Sequence, residues 1–378
     1  MNLERYRHQF EPARQGRIYL NHCGVSPLSD HCAHTMKEAI ERNQSLAADD
    51  WAWVMQRLDD ARESTARLLN VSSEEIALTR NTTEGMTWVA NGLDWQPGDR
   101  VVSVNGEYPT NIYPFMRLEQ QGVELHLIEP IGNRVTLEQI EQALTPNTRL
   151  LAISLVQFVT GFRFDLEAVG ALCREKGVLL AVDLIQGLGV LPVDLSQAHV
   201  DFACGGAQKW LIGPQGAGFF YCRREQLERI EPTQVGSDSM ANKIPYTQYE
   251  YLFRPNAQRF EYSTLSTLPL IGMGAAIDLL LEAGIEPISQ RIKRLTDHLT
   301  DGLTRLGWPC ISPRDENEWS GIIAFSASAE RIEKAIAALN QAGIFAMERE
   351  GNLRLAPHFY QTLDEMQKVV TVLRKIEK

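Results

Sequence analysis

The stretch 149–183 constrains the fold of this 378-residue chain more than any other. Residues 150–156, apolar except for Ser154, read as a buried strand. Asp165 stands where a helix would be capped, and Leu166, Val169, Leu172 and Cys173 fall on one helical stripe. Gly177 can end that helix, and 178–182 is a second apolar run. A strand buried on both faces, a helix and another such strand form a βαβ unit. That unit requires a parallel sheet with helices against it. Upstream, Arg100–Val104 and Glu124–Ile128 read as further strands, and Thr136 with Gln139 makes a capping box for a helix to about Leu144. The chain is therefore expected to be α/β, with Asp183 at the carboxyl end of a central strand, where open α/β sheets bind ligands.

Residues 232–258 are polar, with prolines and tyrosines and weak periodicity, and a domain boundary is placed near them. Beyond lie two helical patterns, 269–281 and 288–306. A small α+β unit follows, with strands over 321–326, 344–348 and 353–356 and helices over 329–341 and 362–376. The expected division is a large domain over 15–255 and a small one over 1–14 and 256–378, with the helix at about 288–306 between them. The formal charge of -11, from 37 basic and 48 acidic residues, disfavours nucleic acid and anionic lipid as partners. No apolar run approaches the roughly 20 residues of a spanning helix, and the opening residues lack a signal-peptide pattern. A soluble, cytoplasmic protein is expected. Six cysteines lie far apart with no CxxC pair, and His31 and His34 beside Cys32 read as solvated helix positions, so neither disulfide nor metal is expected.

One lysine differs from the other eight. Lys209 sits in the run 203–214, among small and apolar residues that would desolvate its amine, and an amine so placed can form a Schiff base. The competing reading is a lysine on an ordinary turn, since Gly213-Pro214 follows closely. Asp183, once buried, needs a cationic partner, and a protonated pyridine nitrogen would serve.

The motifs Val182-Asp183-Leu184-Ile185-Gln186-Gly187, Pro192-Val193-Asp194, Asp201-Phe202, Gln208-Lys209, Gly213-Pro214-Gln215-Gly216 and Gly218-Phe219-Phe220-Tyr221 resemble the lysine region of class V aminotransferases. That family includes cysteine desulfurases, selenocysteine lyases, kynureninase and isopenicillin N epimerase. The resemblance implies pyridoxal 5'-phosphate as cofactor and fold type I. It also implies a large domain with a mostly parallel seven-stranded sheet, a small α+β C-terminal domain, and a homodimer with its site at the subunit interface. Carried onto this sequence, it makes Lys209 the cofactor lysine and Asp183 the partner of the ring nitrogen. Thr82 and Thr83, in Asn81-Thr82-Thr83-Glu84-Gly85-Met86, would hold the phosphate. Tyr108 would stack on the ring and Gln186 would donate to the phenolate oxygen. Gln208 stands where many relatives have histidine, so any phosphate contact of that imidazole passes to an amide. Thr264, preceded by Ser263 where the family has glycine, would reach the neighbouring subunit's phosphate. Arg354, in Leu353-Arg354-Leu355-Ala356-Pro357, would grip the substrate α-carboxylate. Asn21 and His22 belong to the opening motif on the substrate side.

The implied chemistry is an aldimine on Lys209 followed by Cα-proton abstraction from an amino acid. Group II desulfurases carry a nucleophilic cysteine shortly before the carboxylate-binding arginine. Here 345–352 reads Phe-Ala-Met-Glu-Arg-Glu-Gly-Asn, and neither Cys23 nor Cys310 matches that position. β-Elimination of the C–S lyase type ranks first. Epimerisation, transamination and kynureninase-like hydrolysis are the alternatives, and a non-catalytic binding protein is the alternative of another class. No GxGxxG follows the first strand, which leaves a nucleotide-binding reading without support.

Overall fold

The computed structural model describes residues 3–241 and 247–376. Its centre is a seven-stranded sheet of β1 (Ile76–Thr79), β2 (Arg100–Val104), β3 (Glu124–Ile128), β4 (Thr148–Ser154), β5 (Leu179–Asp183), β6 (Phe202–Gly206) and β7 (Gly218–Cys222). The spatial order is β3-β2-β4-β5-β6-β7-β1, and only the pairings of β7 with its two neighbours are antiparallel. Every residue of β5, β6 and β7 is buried, as runs without polar alternation require. The sheet is thus the mostly parallel seven-stranded one expected.

The βαβ unit forms as its local signals dictate. The Asp165 carboxylate caps the helix Leu166–Lys176 by accepting from the Glu167 and Ala168 N–H groups, both at 3.1 Å. Gly177 closes it at φ +69°. Strand β4 lies two residues earlier than the apolar run, because pairing with β5 ends at Ser154 opposite Asp183. Leu155 and Val156 stay buried while the chain turns, with the Leu155 N–H bonded to the Asp183 carbonyl at 2.8 Å. The Thr136–Gln139 capping box is present in both directions, at 3.2 and 3.1 Å.

Helices Asp30–Leu46 and Trp51–Leu69 pack against Thr267–Ala283, whose Gly274 lets its backbone approach Ala61: a Cβ there would come within 2.9 Å of the alanine side chain. The helix Ile285–Arg305 then runs between two cores. Ile288 and Ile292 join the core beside the large sheet, whereas Leu295, Leu299 and Leu303 join that of the C-terminal unit. The cores trade segments across the boundaries expected at 15 and 255. Leu270 through Ala283 pack on the large core, and Ile18 and Leu20 lie in the C-terminal one. The cause is β-pairing, since the short strand Ile18–Tyr19 runs parallel to Ile344–Phe345.

The run expected as one strand over 344–348 is two. Ile344–Phe345 pairs with the N-terminal strand. Met347–Arg349 makes a hairpin with Asn352–Leu355 through Glu350 and Gly351, both at positive φ. Asn352–Leu355 also pairs with Ile323–Ser326. Within 232–258, the one-turn helix Ser237–Ser239 and a bridge between Met240 and Phe253 order the loop, of which 242–246 lie outside the described residues. Among the described residues no single helix is long and apolar enough to cross a membrane.

A buried ion pair ties the segment before Thr267–Ala283 to the sheet. Arg62 Nη2 donates to both Glu261 oxygens at 2.9 and 3.0 Å, and Glu261 Oε1 also accepts from the Leu78 N–H at 2.8 Å. Both side chains are buried, so removing one partner strands a charge in low dielectric. Glu261→Leu is expected to lose about 3–5 kcal/mol of stability in urea unfolding, with Arg62→Met added to it recovering a large part.

Candidate active site

The carboxyl ends of β1, β2, β4, β5 and β6 lie along one edge of the sheet, and the segments leaving them bring the chemistry together. Asp183 closes β5 and is 2% exposed. Its Oδ1 accepts from the Ile185 N–H at 2.9 Å. Burial pushes its carboxyl up to about 7; the Ile185 N–H and the Lys209 amine oppose that rise and the Glu107 charge adds to it.

Lys209 follows β6 in a turn held by the Gly213 N–H on the Ala207 carbonyl and the Ile212 N–H on the Lys209 carbonyl, both at 2.9 Å. Ile212 sits at φ +51° within this turn, a strained position for a β-branched residue. The Lys209 Nζ lies 5.5 Å from the centre of the Tyr108 ring. Burial lowers the affinity of this amine for its proton. Asp183 and Cys23 act against that, and Arg354 and Arg349 act with it. A lysine on a solvated turn would show neither the burial nor the aromatic lid.

Tyr108 stands edge-on to Phe158, with ring centres 5.4 Å apart. Phe158 in turn carries the Arg349 guanidinium over its ring at 5.5 Å, and its carbonyl accepts from Arg354 Nη1 at 2.9 Å. Arg354 is 3% exposed, and its Nε has no hydrogen-bond partner. Phe158 and Arg349 were not singled out from the sequence. Phe158 lies in a loop without periodicity, and Arg349 reads as a surface residue of a polar hairpin.

Thr82 opens the helix Thr82–Gly92, whose start lies close on the sheet because Gly85 has no side chain: a Cβ there would come within 2.6 Å of Cys204 Sγ. The Thr82 hydroxyl is buried without a partner, and the Thr83 hydroxyl bonds to that of Thr110 at 2.8 Å. Asn81 Oδ1 caps the helix by accepting from the Glu84 N–H at 3.0 Å, and the helix start with the unpaired Thr82 hydroxyl suits a phosphate. Gln186 has its amide committed on both sides, Nε2 donating to the Cys23 carbonyl at 3.1 Å and Oε1 accepting from Trp210 Nε1 at 3.0 Å. A carbonyl only accepts and an indole N–H only donates, so the amide orientation is determined, and the second Nε2 hydrogen is left for a ligand. Gln208 lies beside Gly206, where a Cβ would come within 2.6 Å of its Oε1.

One expected residue is placed differently. His22 is fully buried, with Nδ1 bonded to the Ala356 carbonyl at 2.8 Å and Nε2 to the Tyr360 hydroxyl at 2.9 Å. Both nitrogens are occupied and the ring is held well below its usual pKa by burial and by His358, so it joins the opening motif to the C-terminal unit and offers no substrate contact. Thr264 is exposed and lines a cavity with Thr79, Arg80 and Glu84. Asn21 is buried, its Nδ2 3.1 Å from Met347 Sδ. Cys23 is buried next to this group, its thiol pushed up by burial and drawn down by Arg354, Lys209 and Arg349. Cys310 lies in the C-terminal core, away from the edge.

An acid at a strand end, a desolvated lysine after the next strand and a helix start with a buried, unpaired threonine hydroxyl, all on this sheet, fit the fold type I architecture of pyridoxal phosphate-dependent enzymes. The chain belongs to the class-V aminotransferase family, whose model matches residues 19–364. It is 28% identical over 388 aligned positions to a probable cysteine desulfurase of Methanothermobacter thermautotrophicus, covering 97% of this chain and 96% of that one. A C-DES variant with lysine replaced by alanine and glycine covalently linked to its pyridoxal phosphate is 25% identical, with TM-score 0.89 over 98% of this chain and 99% of that one. The apo cysteine desulfurase of Thermococcus onnurineus NA1 shares the fold, with TM-score 0.90 at 22% identity over 98% of this chain and 97% of that one.

The raised Asp183 carboxyl has a sign that can be checked. Its folded pKa of about 7 exceeds the unfolded value near 4, so the unfolded chain releases the proton first and stability falls as pH rises between the two. In the cofactor-free protein, Asp183→Asn is expected to be neutral below pH 4 and stabilising by on the order of 3–4 kcal/mol above pH 7. Urea midpoints across this range measure it, and a pH-independent difference would contradict it.

Proposed function

We propose that this chain uses pyridoxal 5'-phosphate to cleave the Cβ–S bond of a sulfur-bearing amino acid by β-elimination. The observation that carries the proposal is the desolvated Lys209 amine over the Tyr108 ring and beside the buried Asp183, in a chain with no thiol over 345–352. When bound, the cofactor supplies an electron sink for the charge that develops at Cα.

The residues divide the remaining work. Lys209 anchors the cofactor, and its amine, less basic than an exposed lysine, takes the Cα proton once the substrate has displaced it. Asp183, ionised when a cation faces it, holds the proton on the ring nitrogen. Thr82 and the helix start hold the phosphate with Thr83, Gln186 donates to the ring oxygen through its remaining hydrogen, and Tyr108 covers the ring. Gln208 supports the phosphate end. The Arg354 Nε, which has no partner among the described residues, grips the α-carboxylate, with Asn21 nearby on the substrate side. The C–S bond breaks with its electron pair going to sulfur. Addition of water then gives pyruvate, ammonium and a thiol, hydrosulfide or persulfide.

The curated relative named a probable cysteine desulfurase supports a sulfur amino acid as substrate, and the missing thiol favours elimination over transfer of sulfur to the enzyme. A non-catalytic binder would have no use for an amine kept desolvated beside a buried acid. The chain is further proposed to act as a cytoplasmic homodimer, with Thr264 reaching the partner's phosphate site. Six free cysteines, the exposure of Thr264, and the large exposed rings of Tyr249 and Tyr251 support this. Sedimentation equilibrium should give the mass of two chains, and a single-chain mass at micromolar concentration overturns it.

After borohydride reduction, the cofactor mass should appear on the Lys209 peptide, and Lys209→Ala should lose both this label and turnover. With cysteine or cystine the enzyme should release pyruvate; alanine without pyruvate would establish a desulfurase instead, and racemised substrate without product an epimerase. Arg354→Met should raise KM about 10–100-fold, the value of a charged hydrogen bond, with a smaller effect on kcat.

A further inference from the structure

The five residues 107–111 leave β2 and touch three corners of the site at once. Tyr108 puts its ring over the Lys209 amine, Thr110 bonds the Thr83 hydroxyl at 2.8 Å, and Glu107 reaches the end of β4. Glu107 is 6% exposed. Its Oε1 accepts from the Ser154 N–H at 2.8 Å, and its Oε2 accepts from Ser154 Oγ at 2.5 Å and Asn111 Nδ2 at 3.1 Å. Asn111 Nδ2 also bonds Ser154 Oγ at 2.9 Å. Burial pushes the Glu107 carboxyl up, and the Ser154 and Asn111 groups, each able to donate to it, oppose that rise. Ser154 is the residue paired with Asp183 across β4 and β5, so the clamp closes on the strand end that carries the ring-nitrogen acid.

We propose that Glu107 is a positioning residue: its buried carboxylate locks 107–111 onto β4, which fixes the Tyr108 ring over Lys209 and the Thr110 hydroxyl against Thr83. The segment has no strand ladder to hold it, only the short 3-10 turn Pro109–Asn111, and Tyr108 itself is 41% exposed. Of its bonds to neighbouring elements, those of Glu107 and Asn111 to Ser154 reach the end of β4, while Thr110 bonds Thr83 and the Gly106 carbonyl accepts from Gln157. Replacing the carboxylate by an amide turns an NH2 toward a donor, which opens the same clamp without removing volume.

The inference rests on the cofactor reading of this site, and a double-mutant cycle on pyridoxal 5'-phosphate binding separates the two. Dissociation constants are measured by fluorescence for the full-length protein, Glu107→Gln, Tyr108→Ala and the double variant, with Glu107→Asp as the conservative rescue. Each single change is expected to weaken binding about tenfold, the double variant little more than either alone, and Glu107→Asp less than Glu107→Gln. Losses that multiply to about 100-fold, or an unchanged Glu107→Gln, overturn the proposal. If Glu107→Gln does not fold, Asn111→Ala, which removes one donor and keeps the carboxylate, enters the same cycle with the same two outcomes. A wild-type protein that binds no cofactor defeats the reading of the site as well as this inference, whereas a normal wild type with multiplying losses defeats this inference alone.

Discussion

The arrangement on which the rest depends is the placing of a buried carboxylate and a half-buried amine close together at one edge of a parallel sheet. Burial works against the charge on both groups, pushing the Asp183 carboxyl up and the Lys209 amine down. The fold keeps them there because each belongs to a segment that cannot move independently. Asp183 ends a strand bonded on both sides, and Lys209 lies in a turn closed by its own backbone bonds. Such rigidity holds charged groups where water would otherwise draw them out.

The same edge gathers groups whose bonding capacity is left over. The Thr82 hydroxyl and the Arg354 Nε are buried without partners, and in most folded proteins such atoms find one. Their positions, at a helix start and on a strand facing Phe158, suit the two anionic ends expected of the cofactor and of an amino acid. The C-terminal hairpin that carries Arg354 and Arg349 reaches the large sheet through Phe158. These contacts tie the C-terminal hairpin to the edge of the large sheet.

Much of this was legible from local signals. The helix over 166–176 could be read from its cap, stripe and closing glycine, and the opening of α-helical 137–143 from its capping box, because these depend on neighbours a few residues apart. Lys209 stood out by its apolar company. The split of 344–348 into two strands was not legible, since pairing with Ile18–Tyr19 is a contact between residues more than 300 positions apart. His22 looked like a substrate contact within its motif, but the partners that occupy both of its nitrogens come from the far end of the chain.

Composition and periodicity by themselves determined an α/β sheet, the strand that delivers Asp183 and the singular character of Lys209, because burial pattern and capping act over short distances. Only the tertiary structure decided which side chains meet: that Tyr108 covers the amine, that Phe158 and Arg349 border the site, that Glu107 bonds Ser154, and that Thr264 shares a cavity with Arg80 and Glu84. These encounters join strand ends and loops distant in sequence, and their geometry follows from sheet order and register, which no local pattern encodes.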